Sequence, residues 1–149
     1  MGADGTRNEF IELYVSKPVD VTVGADGWAV SVFDPGSSTA STIAVVPPGT
    51  VVRSKSYYLI VNNTGLPSPA LGFTSGALKD YPASLTPAPT TVGSGDLQYS
   101  GDIPDGAGLA IFKSATQLDA STRLDSVGFA GVTDPLYKEG AGLTPSGGI

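Results

Sequence analysis

The feature that most constrains this chain is the brevity of its apolar runs. The clearest runs alternate with period two, and no window of 12 residues offers a helical stripe of apolar positions uninterrupted by Gly, Pro or β-branched residues. "NEFIELYVS" (8–16) sets Glu9, Ile11, Leu13 and Val15 on one face and Phe10, Glu12 and Tyr14 on the other. A short strand is predicted at 19–23, and a clearer one at "GWAVSVF" (27–33), with Trp28, Val30 and Val32 on one face. "STIAVV" (41–46) follows the turn "DPGSS", and "KSYYLIVNN" (55–63) is the strongest β-forming stretch because Tyr, Leu, Ile and Val pack well on a pleated surface. Three further strands are expected at "DLQYS" (96–100), "GLAIFKS" (108–114) and "TRLDSVGFA" (122–130), the last two joined as a hairpin through "ATQLDAS". The tail from 131 reads as irregular.

Seven to nine short strands between turn signals predict an all-β chain, an immunoglobulin-like β-sandwich of two antiparallel or mixed sheets. At 149 residues with 20 Gly, 12 Pro and 15% charged residues, the composition suits a single turn-rich domain over 1–149. The Pro-, Ser-, Thr- and Gly-rich stretch 64–96 offers no strand and reads as a long inserted loop, and loops of that length are usually functional or mobile.

Charge and residue counts exclude several functions. The net charge is −6 and the eight Lys and Arg are scattered. Nucleic-acid binding draws its affinity from phosphate neutralisation, so this balance opposes it, and it opposes an anionic membrane surface for the same reason. The absence of His removes Ser-His-Asp and Cys-His catalysis and His-ligated metals, and the absence of Cys removes disulfides and thiol chemistry. No phosphate-cradling glycine loop and no G-x-S-x-G or S-x-x-K pattern is present. The longest apolar stretch, "IAVVPP", is too short to span a membrane. "MGADGTRN" lacks the apolar segment of a secretory leader, and both ends read as fragment boundaries.

The remaining candidates are weighed against structural roles. Glu9 and Glu12 lie on opposite faces of a strand, about 10 Å apart along it, so they cannot converge on one substrate as an acid–base pair. Glu12, between two aromatics, is expected to be part-buried and paired with Arg53 or Arg123. Trp28 after Gly27 is expected as a core anchor, with an exposed sugar-stacking Trp as the alternative. Tyr57 and Tyr58 are adjacent, so one of them faces the core; Tyr81 and Tyr99 are candidates for ligand stacking. Asp102, Asp105, Asp119 and Asp125 lie in turns whose oxygens could bind calcium, although turn chemistry alone explains Asp beside Gly and Pro. Asn62 opens an N-x-[ST] pattern that a post-strand turn also explains, and Glu139–Gly140 is expected to fix a turn in the tail, a ligand role for Glu139 being the alternative.

"NEFIELY", "VDVTVGADGWAVSV", "PPGTVVRSKSYYLIVNN", "GDIPDGAGLAIF", "LDSVGF" and "YKEGAGLTPS", in that order, resemble a lamin tail domain of the bacterial branch, over about 8–146. The resemblance implies an immunoglobulin-like β-sandwich without catalytic residues, serving as a module of secreted or cell-envelope proteins, often beside nuclease or phosphoesterase domains. Two departures stand out: relatives usually carry an apolar strand upstream of the EF-x-EL-Y segment, and the 64–96 stretch exceeds their usual loop. The sequence therefore predicts a non-catalytic, cofactor-free module that binds protein partners, by exposed sheet edges, self-association or the long loop. The alternative is a carbohydrate- or calcium-binding module appended to a hydrolase or nuclease.

Overall fold

The computed structural model describes residues 10–62 and 96–144. Glu9, Tyr81 and nearly all of the 64–96 stretch lie outside the described residues. The chain is all-β. Among the described residues nine strands form, in order β1 (Phe10–Tyr14), β2 (Val21–Thr22), β3 (Trp28–Asp34), β4 (Thr39–Val46), β5 (Val51–Val52), β6 (Tyr57–Asn62), β7 (Leu97–Tyr99), β8 (Gly108–Phe112) and β9 (Arg123–Gly128). They build sheets of order β1-β6-β7, β2-β5 and β4-β3-β8-β9, a strand inventory consistent with a β-sandwich of short strands. The described residues group into two compact units, one from 10–20, 52–62 and 96–102, the other from 21–51 and 103–144.

In the first unit, β1 runs antiparallel to β6 with Ile11 opposite Ile60 and Tyr14 opposite Tyr57. β7 joins β6 in parallel, Ile60 opposite Leu97, so the sheet is mixed. The alternation read in the sequence sorts the faces as expected: Ile11, Tyr58, Ile60 and Tyr99 are buried, whereas Glu12, Tyr14 and Tyr57 are exposed. Asp96 starts β7 by clamping β6, its carboxylate accepting from Leu59 N at 2.7 Å and its own N donating to Leu59 O at 2.7 Å. Burial and the charge of Asp96 raise the pKa of the Tyr58 phenol, which stays protonated at any neutral pH.

In the second unit, β3 is the central strand, antiparallel to both β4 and β8. All six residues Trp28–Phe33 are buried, so both faces of this strand are covered. One face joins Ala29 and Phe33 with Ala110, Phe112, Val132 and Tyr137 in a core cluster. The last two belong to the tail. Asp134 caps a short 3-10 turn (Pro135–Tyr137) by accepting from Leu136 N at 2.9 Å, and the turn lays Tyr137 against Phe33 and Phe112 at ring-centroid distances of 5.7 and 5.9 Å. The tail expected to be irregular thus supplies part of the core. It fits because Gly108 and Gly128, facing each other on β8 and β9, present no side chain: a Cβ on either would collide with the Tyr137 carbonyl.

The most deeply buried polar side chain beside this core is that of Ser31. Ser31, fully buried, donates to Ser41 O at 2.9 Å and lies 3.0 Å from the Tyr137 hydroxyl. Two polar groups that would be costly to bury alone satisfy each other.

Candidate functional site

The residues singled out in the sequence fall mostly into structural positions. Gly27 adopts φ +73°, and a Cβ there would lie 2.9 Å from Val45 Cγ1 and 3.0 Å from Val46 O, so glycine is required at the entrance to β3. Trp28 behind it is buried, the core position expected rather than a sugar-stacking one. Glu139 is exposed, and its carbonyl accepts from Gly142 N at 3.0 Å, which closes the tail turn expected at Glu139–Gly140.

Glu12 corrects the expectation of a part-buried ion pair. It is exposed on β1, and the two arginines proposed as partners are engaged elsewhere. Arg53 lies 3.8 Å from Asp20, and Arg123 donates to the carbonyls of Pro135 and Leu136 at 2.8 and 3.3 Å. The cause is strand direction: the Phe10/Glu12/Tyr14 face of this edge strand turns toward solvent at Glu12 and Tyr14. Tyr99 is also corrected. At 3% exposure it is a core residue, and no ligand can stack on it. Asn62 is buried with its Nδ2 donating to Gly101 O at 2.6 Å, a placement that leaves no room for a glycan.

The calcium candidates do not converge. Among the described residues no three acidic side chains come together in a way that could hold a metal ion. Asp102 and Asp105 are exposed, and Asp125 turns one oxygen to Ser126 N at 2.8 Å. Asp119 organises its own loop. It accepts from Ser121 N at 2.8 Å, Ser121 Oγ at 2.6 Å and Gln117 Nε2 at 2.6 Å, and these donors hold its pKa at about 2. Ser114 and Thr122 complete the lock: Ser114 Oγ accepts from Thr116 N and Gln117 N at 3.2 Å each, and Thr122 Oγ1 donates to Gln117 O at 2.7 Å.

Two surface features remain that the sequence did not single out. The first is the outer edge of the four-stranded sheet. Of the strands that end a sheet of three or more, β7 is three residues long, β1 carries Glu12, and β9 carries Arg123 and Asp125, with Leu143 bridging just beyond it at Phe129. β4 is different: "TASTIAVV" is the longest strand, has no charge and no Pro, and is exposed over Thr39–Thr42. Its register against β3 is regular from Thr39 to Thr42, and Ile43 is the extra residue of a bulge before Ala44. The second feature is the pair Tyr14 and Tyr57, rings 5.0 Å apart. Period two placed each tyrosine on its strand, but the cross-strand register that joins them is invisible in a single sequence.

Comparison with protein-family models, with curated proteins and with solved structures yields no match. Among the described residues no helix is long and apolar enough to cross a membrane.

Proposed function

We propose that this chain is a non-catalytic interaction module of a larger secreted or cell-envelope bacterial protein, and that it engages protein partners by adding a strand to β4. The observation that carries the reading is the undefended edge. An unpaired strand is a template for another chain, and proteins normally blunt such edges with charge, Pro, brevity or cover. Over Thr39–Thr42, before the bulge at Ile43 interrupts the edge, β4 has none of the first three, and among the described residues no strand covers its outer side. Main-chain hydrogen bonds would supply affinity there, and alternate side chains of the partner would supply selectivity. The lack of His and Cys and the dispersal of the acidic side chains among the described residues support a role without chemistry of its own. The ordered resemblance of the sequence segments to bacterial lamin tail domains supports the same reading and the extracellular setting.

Self-pairing is the simplest strand addition, so it provides the test. Light scattering across a wide concentration range should show reversible association, with amide exchange slowed over 39–43, and the double variant Ala40→Lys/Thr42→Lys should abolish both. A chain that stays monomeric at the highest concentration, with β4 amides exchanging equally fast throughout, would reject pairing at this edge.

A further inference from the structure

The open edge of β4 offers its backbone groups in a fixed order, which the hydrogen bonds of the four-stranded sheet determine. In an antiparallel sheet a residue turns its N–H and C=O together to one side, and its neighbours along the strand turn theirs to the other. Gly128 O accepts from Leu143 N at 2.8 Å, so Gly128 faces away from β8. The register runs across the sheet from Gly128 to Gly108, Phe33 and Ala40. Gly108, with no bond to Gly128, turns toward Phe33, and Phe33 turns toward Gly108. The groups of Ala40 therefore point away from β3. Ser31 gives the same answer independently. Its Oγ reaches Ser41 O at 2.9 Å, which requires the Ser41 carbonyl to aim at β3. Ala40 and Thr42, on either side of Ser41, then aim outward. Both are exposed, and among the described residues no strand lies on that side. Each presents one N–H and one C=O to the open edge.

We infer, on the reading of β4 as an edge open to strand addition, that the added strand is β4 of a second copy, antiparallel about a twofold axis at Ser41. The residue on the axis sets the register of two identical antiparallel strands. With the axis at Ser41, Ala40 meets the partner's Thr42 and Thr42 meets the partner's Ala40, so every outward N–H and C=O of both residues is used. With the axis at Ala40, Thr42 would fall opposite Ser38, which stands in the preceding turn at φ 55°. With the axis at Thr42, Ala40 would fall opposite Ala44, beyond the bulge at Ile43. Only the Ser41 axis keeps the bonds inside the regular stretch Thr39–Thr42. That self-match favours a second copy over a foreign strand. The side chains permit it. Ala40, Ser41 and Thr42 are small, and β4 has no charged residue, so no like charges meet across the pair although the chain carries a net charge of −6. The result joins two four-stranded sheets edge to edge. So short a ladder makes a weak, reversible dimer.

The chain has no Cys, so a single introduced thiol reports one position. Ser41 sits opposite its own copy in a pair without mutual hydrogen bonds, where Cα atoms lie about 4.5 Å apart, within the span of a disulfide. Ser41→Cys in oxidised glutathione should therefore link into a covalent dimer. Thr39→Cys is the control, on the same exposed face but separated from its copy by about 13 Å along the paired strands, and it should link about tenfold more slowly or worse. Amide exchange on the unaltered protein needs no variant. The Ser41 amide, bonded to β3, should exchange slowly at every concentration, and the Ala40 and Thr42 amides should slow only as concentration rises. Ser41→Cys linking no faster than Thr39→Cys, or Ala40 and Thr42 amides indifferent to concentration, would overturn the proposal. If association is still seen by light scattering and lost in Ala40→Lys/Thr42→Lys, strand addition at β4 stands and only this register fails. A protein that stays monomeric at the highest concentration, with no linkage through Ser41→Cys, would overturn both.

Discussion

The 113–122 loop of the second unit and the β1/β6 end of the first are both polar connections beside a sheet, and they use their polar groups in opposite ways. In the loop, Ser114, Gln117, Asp119, Ser121 and Thr122 bond to one another and to the local backbone. At the β1/β6 end, backbone contacts fix the turn, and Lys17, Arg53, Tyr14 and Tyr57 stay exposed. The first arrangement closes a structure on itself. The second leaves side chains for something else to meet. The same contrast holds between the two sheets: the tail seals one face of the four-stranded sheet with Tyr137, whereas Tyr14 and Tyr57 of the three-stranded sheet face water.

The sealed face should be the most sensitive place in the chain. Gly128→Ala puts a Cβ against the Tyr137 carbonyl and within 3.1 Å of both Gly108 Cα and Lys138 Cβ, all of them backbone or near-backbone atoms that cannot swing away. We expect a loss of about 3 kcal/mol, since overpacking of a tight site forces the tail off the sheet. Urea denaturation measures it. Gly131→Ala is the control: nothing lies within 4 Å of its added Cβ, so it should change stability little. Equal effects at the two glycines would show that the tail is not seated on β8 and β9, and the contrast between sealed and open faces would fail.

The tail also marks where sequence reading ends. Strand positions were legible because they depend on local sequence: the expected segments 55–63, 108–114 and 122–130 each contain an observed strand, and 27–33 and 41–46 overlap β3 and β4, which run on to Asp34 and start already at Thr39. Tyr57 and Tyr58 were correctly divided between the two faces for the same reason. Tyr137 was not legible as core, because a single aromatic in a Gly-rich stretch has no periodicity, and its burial depends on two glycines 29 and 9 residues upstream. Ser31 was hidden inside an apolar strand, and its partner lies 106 residues away. Glu12 misled because the alternation identifies two faces without saying which one meets water at a sheet edge. The aspartates were ambiguous from the start, since turn-forming and metal-binding aspartates share the same sequence neighbours.

A smaller effect tests the polar contact within the seal. Tyr137→Phe keeps the ring against Phe33 and Phe112 and removes only the hydroxyl 3.0 Å from Ser31 Oγ. Ser31 retains Ser41 O as an acceptor, so no donor is stranded, and the cost should be about 1 kcal/mol by the same denaturation measurement. On the exposed side, Tyr57→Phe removes a hydroxyl that already faces water and should be neutral within error. If the two substitutions cost the same, Tyr137 is not buried in solution as it is here.

The least costly test concerns the self-closing loop and uses pH. Donors from Ser121 and Gln117 stabilise the Asp119 carboxylate, so its pKa falls from 3.8 to about 2 in the folded chain. The sign follows from linkage: the unfolded chain takes up the proton first, so the carboxylate's contribution is complete above pH 3.8 and disappears as the pH falls toward 2. Asp34 shifts in the same direction, through Ser37 and Gly36, and adds to the acid side of the profile. Asp119→Asn should therefore lower stability near neutral pH, and its deficit relative to the unaltered chain should shrink as pH drops through that window. Because the group is exposed, the change is small, and the decisive measurement is the carboxyl titration of Asp119 followed by NMR. A midpoint near 3.8 would mean that the loop does not hold its hydrogen bonds in solution. In that case the 113–122 loop would be as open as the β1/β6 end, and its polar side chains, like Tyr14 and Lys17, would be available to a ligand.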